Sequence, residues 1–146
     1  MKTALLHQGD GLRTFVIVLD TGEEVMAALR AFAASHSLSA AHFTAIGACS
    51  RVVVAYFDVV SKQYRNISID EQVEVLSLVG DISLEGDMPK VHAHVVLGKS
   101  DATAHGGHLN EAIVTPTLEI ILTDTPRHLR RRHDPGHRRR AEEPGG

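Results

Sequence analysis

The chain has 146 residues, of which 43% are hydrophobic, and this predicts one compact domain rather than an unfolded chain. Its single cysteine excludes an intrachain disulfide and a cysteine zinc cluster, and no stretch is apolar and long enough to cross a membrane. The amino terminus becomes polar too early for a signal peptide, so we expect a cytoplasmic protein.

The net charge of −3 is divided unevenly between a body and a carboxyl-terminal tail. Residues 1–125 carry a net charge of −7 and residues 126–146 a net charge of +4. We therefore expect a folded domain over 1–125 and a flexible, basic, Arg- and His-rich tail over 126–146. Phosphate binding needs positive charge, so the candidate nucleic-acid contacts are tail residues Arg130, Arg131, Arg132, Arg138, Arg139 and Arg140.

The amino-terminal part predicts two strands, 2–8 and 12–19, followed by the main helix. Thr21 is the predicted N-cap, and Glu24 three residues later completes a capping box. From Val25 onward, apolar residues recur at helical spacing.

From residue 41 onward the pattern is typical of β-structure, and Pro116 is expected to break it. Gly80 predicts a bulge or a close backbone approach. We expect an α+β fold, in which one principal helix packs on a curled, mainly antiparallel sheet. Besides the histidine strand that follows Pro89, the predicted strands cover residues 42–48, 51–59, 64–69, 73–84, 111–114 and 118–123, with a loop over 99–108.

Four of the ten histidines fall between residues 92 and 108. Strand side chains alternate between faces, so His92 and His94 share one face while their apolar neighbours pack into the core. His108 could supply a third ligand from a glycine-hinged turn, with His105 as a weaker candidate. Three neutral imidazoles and an open fourth position are a known zinc arrangement, so zinc is the expected metal. The alternative is that these are exposed or hydrogen-bonded histidines that hold no metal.

Other motifs carry less weight. Cupins follow their H-x-H with a glutamate, whereas this chain has Leu97, Gly98 and Lys99 at the corresponding spacing. The zincin motif H-E-x-x-H is absent. Glu119 is either an acceptor for a ligand histidine or an exposed edge carboxylate, and Cys49 is interpreted as a buried, inert thiol.

Five segments and one helix carry a resemblance to a known family. The segments are AIGA at 45–48, VEVLSLVGDISL at 73–84, PKVHAH at 89–94, GGHL at 106–109 and TLEI at 117–120. Together with the helix that follows residues 20–23, they resemble the PPC domain (plants and prokaryotes conserved domain) over residues 12–123.

The resemblance implies an α+β fold, a homotrimer and a zinc-like metal held by His92, His94 and His108. Stand-alone prokaryotic members of the family are described as DNA-binding, and plant members carry AT-hooks. This chain has no Arg-Gly-Arg-Pro AT-hook, so minor-groove binding is not expected from that motif.

Three hypotheses follow for function. The first is a DNA-binding or regulatory homotrimer with a three-histidine metal site. The second is a metal-dependent hydrolase or lyase acting on a small molecule, with Glu119 or Glu74 as the general base. The third is a domain whose role is to trimerise and act as a scaffold, since oligomerisation covers strand edges.

Overall fold

A computed structural model describes residues 1–133 and 140–144, and of 132–133 and 140–144 it describes the backbone alone. This part of the chain contains nine strands and one helix, α1 (Val25–Ser35). No helix within it has the length and apolar character that crossing a membrane requires. The strands are β1 (Lys2–Gly9), β2 (Leu12–Asp20), β3 (Ala40–Asp58), β4 (Gln63–Ile69), β5 (Val73–Glu85), β6 (Met88–Gly98), β7 (Ala104–Asp124), β8 (Leu129–His133) and β9 (Arg140–Pro144).

The sheet curls because its two longest strands change partners along their length. β3 pairs with β5 through its first half, with β4 through its second half, and with β7 on its other side. β6 pairs with both β5 and β7. The four strands β3, β5, β6 and β7 therefore form a closed circuit of antiparallel pairs, and the predicted α+β fold with a curled sheet is confirmed.

Long continuous strands replace several of the predicted short ones. The predicted strands 42–48 and 51–59 are both part of β3, and β7 contains 111–114, 118–123 and half of the predicted loop 99–108. The β3–β7 register shifts on both sides of Cys49, where we had expected a break between two strands. Pro116 does not end β7, because it lies in a gap of the β3 pairing between Val114 and Leu118 and so removes no hydrogen bond there.

Gly80 allows a close approach within the core. A Cβ atom at this position would lie 2.3 Å from Cζ of Phe43 and 2.5 Å from the carbonyl oxygen of His92. Of the two alternatives predicted for Gly80, the close approach is the one found, and the β5–β6 register shifts instead beside Leu76.

The predicted N-cap of α1 is wrong. Glu24 is the cap, and its carboxylate accepts hydrogen bonds from the backbone N–H groups of Met26 (2.9 Å) and Ala27 (2.7 Å). The helix starts late because Glu24 is still extended and bridges Ile113 of β7. The hydroxyl of Thr21 donates instead to the carbonyl of Pro116.

The apolar face of α1 packs on the inner face of the sheet, where Leu29 and Phe32 join Phe43 in the core. Burial of each such side chain contributes roughly 1.5–3 kcal/mol. Cys49 is fully buried, which confirms the predicted buried thiol, and burial raises its pKa to about 11, so little thiolate forms at neutral pH.

Candidate metal centre

Strand alternation places two histidines on the outer face of β6. Val91, Ala93 and Val95 point inward and are buried, while His92 and His94 point the other way. The rigid strand therefore presents both imidazoles on one side, as the alternation predicts.

The third histidine reaches this face from β7. His108 is the direct cross-strand partner of His94, so it lies on a strand and not on the glycine-hinged turn that we had expected. The two preceding glycines serve close packing rather than flexibility. A Cβ atom on Gly106 would lie 2.6 Å from the carbonyl oxygen of Val95, and one on Gly107 would lie 2.9 Å from that of Ala55.

The three imidazoles converge on one point. The ring centre of His92 lies 5.1 Å from that of His94 and 5.1 Å from that of His108. The ring centres of His94 and His108 are 5.4 Å apart. Each ring offers a nitrogen, and the three nitrogens lie within 4.8 Å of one another. A tetrahedral zinc ion with Zn–N bonds of about 2.0–2.1 Å needs nitrogens about 3.3 Å apart, so small side-chain rotations close the site.

The environment of His108 favours the neutral form of its ring. Its Nδ1 is buried and has no hydrogen-bond partner among the described residues. Burial, followed by the neighbouring His92 and His94, lowers its pKa to about 4. The ring is therefore neutral at pH 7 and keeps the lone pair that a metal requires, so the residues present fit a divalent metal.

Asp81 supports this site, and the sequence argument missed it. It lies opposite His92 on β5, with Oδ2 at 3.6 Å from Nδ1 of the histidine. Counting outward from the turn between Glu85 and Met88, which are paired, puts residues 81 and 92 opposite each other. A hairpin register of this kind was the signal that could have identified the aspartate.

Arg131 of strand β8 binds Asp81. It donates to Oδ1 of Asp81 at 2.9 Å and to the hydroxyl of Ser83 at 2.8 Å, and its side chain is only 10% exposed. Arg131, one of the predicted nucleic-acid contacts, thus forms an internal ion pair beside the histidines.

The other tail arginines have different positions. Arg130 is exposed and forms an ion pair with Asp87 at 3.7 Å. Arg132 lies on β8 and Arg140 on β9, and for these two residues the structure describes only the backbone. Arg138 and Arg139 lie outside the described residues.

A cleft of about 870 Å³ opens in front of the histidines. It is bounded by α1, by the β3–β4 hairpin and by strands β6 and β7, with one residue each from β5 and β8. Its charged lining residues are Arg30, Glu85, Lys90 and Arg131, and its aromatic ones are Tyr56, Phe57 and Tyr64. A metal held by the three histidines would therefore face a space large enough for a small molecule.

The remaining predicted site residues lie elsewhere. Glu119 and Glu74 line a separate pocket of about 400 Å³, and Glu119 pairs with Ile46 rather than with a histidine strand. His105 is exposed, and its Nε2 lies 3.3 Å from the hydroxyl of Thr103. Within one chain, the structure brings neither glutamate next to the three histidines.

Comparisons with known proteins identify the family of this domain. The model of the Plants and Prokaryotes Conserved (PCC) domain, also abbreviated PPC, matches residues 6–126. No curated protein matches the chain at a significant level.

Three solved structures are similar over most of their length. A metal-containing protein from Archaeoglobus fulgidus is 33% identical, with a TM-score of 0.78, over 84% of this chain and 86% of that one. A PPC protein from Pyrococcus horikoshii is 28% identical, with a TM-score of 0.79 and coverages of 92% and 90%. A protein from Ralstonia eutropha JMP134 named "Putative DNA-binding protein" is 28% identical, with a TM-score of 0.83 and coverages of 88% and 90%. By its match to the family model and by these relatives, the chain belongs to the Plants and Prokaryotes Conserved domain family.

Proposed function

We propose that this protein binds one divalent metal, zinc, through His92, His94 and His108 and uses the open coordination position to bind a small molecule in the adjoining cleft. The observation that carries the proposal is the convergence of three imidazole nitrogens at the wall of a cleft of about 870 Å³. The name of the Archaeoglobus fulgidus relative, a metal-containing protein, supports it. A bound divalent metal supplies Lewis acidity and lowers the pKa of a coordinated water, which is the chemistry that a hydrolase or lyase needs.

The test is metal stoichiometry in protein purified without a histidine tag. We expect about one zinc per chain by elemental analysis, and a tetrahedral absorption spectrum after Co²⁺ loading. His92→Ala, His94→Ala and His108→Ala should each abolish tight binding. His105→Ala, an exposed histidine on the same strand as His108, is the matched control and should keep it. Equal metal content in all four variants, or none in the parent protein, contradicts the proposal.

We propose further that the protein is a homotrimer, as the family resemblance implies. An outward-facing row of side chains that includes exposed apolar residues supports this assembly. The row crosses four strands in register, from Val16 through Ile121 and Thr44 to Val79. Exposed apolar faces of this kind are typical of subunit interfaces. The cytoplasmic location expected from the sequence stays a prediction.

DNA binding is a second candidate function, favoured by the name of the Ralstonia eutropha relative. In this chain it depends on tail arginines other than Arg131, which is bound to Asp81. The test is fluorescence anisotropy with a DNA duplex at increasing salt concentration. Each phosphate contact should add about −0.9 to the slope of log K against log salt concentration. Replacing Arg138, Arg139 and Arg140 by Ala should make this slope less steep. Absence of binding at low salt with the tail intact would exclude this function.

A further inference from the structure

The charge of a bound metal would not be balanced by its own ligands. The three ligands are neutral imidazoles, so a divalent ion keeps both positive charges. The nearest carboxylate to His92 is Asp81, and the guanidinium of Arg131 already occupies its Oδ1 at 2.9 Å. A site of this kind favours an anionic ligand at the open position.

The wall of the cleft adds further positive charge. Arg30 of α1 and Lys90 of β6 line it with side chains that are 56% and 55% exposed, so their charged groups are accessible to a ligand. Three of the four charged side chains that line the cleft are cations, in a body whose net charge is −7. Carboxylates lie beside both exposed cations: Glu85 is 3.7 Å from Lys90, and Glu24 is 3.8 Å from Arg30. Ion pairs exposed to solvent are weak, so both cations can turn to a negative group on a ligand.

The cleft also gathers aromatic side chains. Tyr56, Phe57 and Tyr64 line it, and they are three of the six aromatic residues in the chain. The ring of Tyr64 lies 5.0 Å from that of Phe57 and 5.5 Å from the imidazole of His108. Both tyrosines are exposed. Exposed aromatic rings beside a polar centre provide a surface for the apolar part of a ligand.

We propose that this cleft binds a small organic carboxylate. The carboxylate group lies between the metal and the cations of Arg30 and Lys90, and the apolar part of the molecule packs against Tyr64 and Phe57. The inference rests on the proposed function, because the metal is the first anchor of the carboxylate. The aromatic wall favours an organic anion over inorganic phosphate, since phosphate has no apolar surface to bury.

The experiment titrates the full-length, Co²⁺-loaded protein with four probes: benzoate, acetate, inorganic phosphate and benzyl alcohol. Binding is followed by the Co²⁺ absorption bands and by calorimetry. We expect benzoate to bind roughly tenfold more tightly than acetate, a difference that corresponds to about 1.4 kcal/mol. The reason is that the ring of benzoate would be buried against Tyr64 and Phe57. Benzyl alcohol, which has the ring but no charge, should not bind measurably.

Variants separate the two anchors. Arg30→Met and Lys90→Met should each weaken benzoate binding roughly three- to tenfold without changing the Co²⁺ stoichiometry. Lys2→Met, an exposed cation on β1 outside the cleft, is the matched control and should have no effect. Tyr64→Ala should remove the preference for benzoate over acetate.

The outcomes distinguish this inference from the proposed function. If Co²⁺ binds but benzoate changes neither the spectrum nor the heat, the carboxylate site is wrong and the metal site stands. Tighter binding of phosphate than of benzoate, or equal effects of Lys2→Met and Lys90→Met, also overturns the carboxylate site. If Co²⁺ itself does not bind, both the proposed function and this inference are wrong.

Discussion

His108 has an environment different from that of the two histidines on β6. Its Nδ1 is buried with no hydrogen-bond partner in the part of the chain that the structure describes, and burial is the main cause of its lowered pKa, about 4 against an ordinary value of 6.5. Between these two pH values the unfolded chain binds a proton at this residue and the folded chain does not. Folding therefore becomes less favourable as the pH falls through this range.

The first prediction concerns the pH dependence of the metal-free protein. Its free energy of unfolding should be constant above about pH 6.5 with respect to this residue and should fall by about 1–2 kcal/mol between pH 6.5 and pH 4, an amount reduced from the full shift because the ring is partly exposed. Urea unfolding at several pH values measures it. His108→Asn should lose this component, while His105→Asn should keep it. An identical pH profile for His108→Asn and the parent protein would contradict the assignment.

Asp81 lies between a residue of the tail and the candidate metal centre. Its two carboxylate oxygens face His92 and Arg131, which come from β6 and β8. A carboxylate behind a ligand histidine orients the ring and increases its basicity.

The second prediction is that Asp81→Asn weakens zinc binding by roughly 10–100-fold, because the histidine loses this support. Competition with a chelator of known affinity measures the change. Asp87→Asn is the matched control. Asp87 pairs with Arg130, the neighbour of Arg131 on β8, but it is 98% exposed and away from the histidines. Equal zinc affinity in both variants would show that Asp81 does not support the site.

At the scale of elements, β7 organises the molecule. It pairs with β2, β3 and β6 along its 21 residues, and it carries His108 to the outer face of β6. The close approach of these strands requires glycine at Gly106, where a side chain would contact the backbone carbonyl of Val95. Backbone cannot move aside as a flexible side chain can, so this position tolerates little change.

The third prediction follows from this contact. Gly106→Ala should lower the free energy of unfolding by about 2 kcal/mol or more and weaken metal binding, because β7 must move away from β6. Gly98→Ala is the control, since the three atoms nearest to a Cβ there all belong to the exposed side chain of Leu76, which can rotate. Chemical denaturation of both variants compares them. A Gly106→Ala variant as stable as the parent would show that the strands can separate at no cost.

At the scale of the whole molecule, the exposed apolar face has a consequence for assembly. Ile46 on β3 is 62% exposed and lies next to the row that includes Val79 and Ile121. A monomer would leave this face in water, whereas the proposed trimer would bury it.

The fourth prediction is therefore that Ile46→Lys converts a trimer into smaller species, since a charge buried in an apolar interface is costly. Size-exclusion chromatography with light scattering gives the mass directly. Val60→Lys is the control, because Val60 is 90% exposed in the β3–β4 turn, away from this face. A parent protein that elutes as a monomer would exclude the proposed trimer.

Some of these features were determined by the sequence itself. Alternation placed His92 and His94 on one face, apolar spacing placed one helix after β2, and the motifs identified the family. These are local properties, because the side-chain period of a strand or helix depends only on neighbouring residues. The exact start of α1 was not among them, since the bridge between Glu24 and Ile113 delays it through a contact with a distant strand.

The tertiary structure decided what depends on long-range register. Only the pairing of β6 with β7 brings His108 opposite His94, and only the pairing of β5 with β6 and β8 gathers Asp81 and Arg131 behind the histidines. The same closure of the sheet separates Glu119 from the site and assembles the cationic and aromatic wall of the cleft. The physical reason is that each of these contacts joins residues far apart in the chain. Their meeting depends on how the whole sheet curls, which local periodicity does not specify.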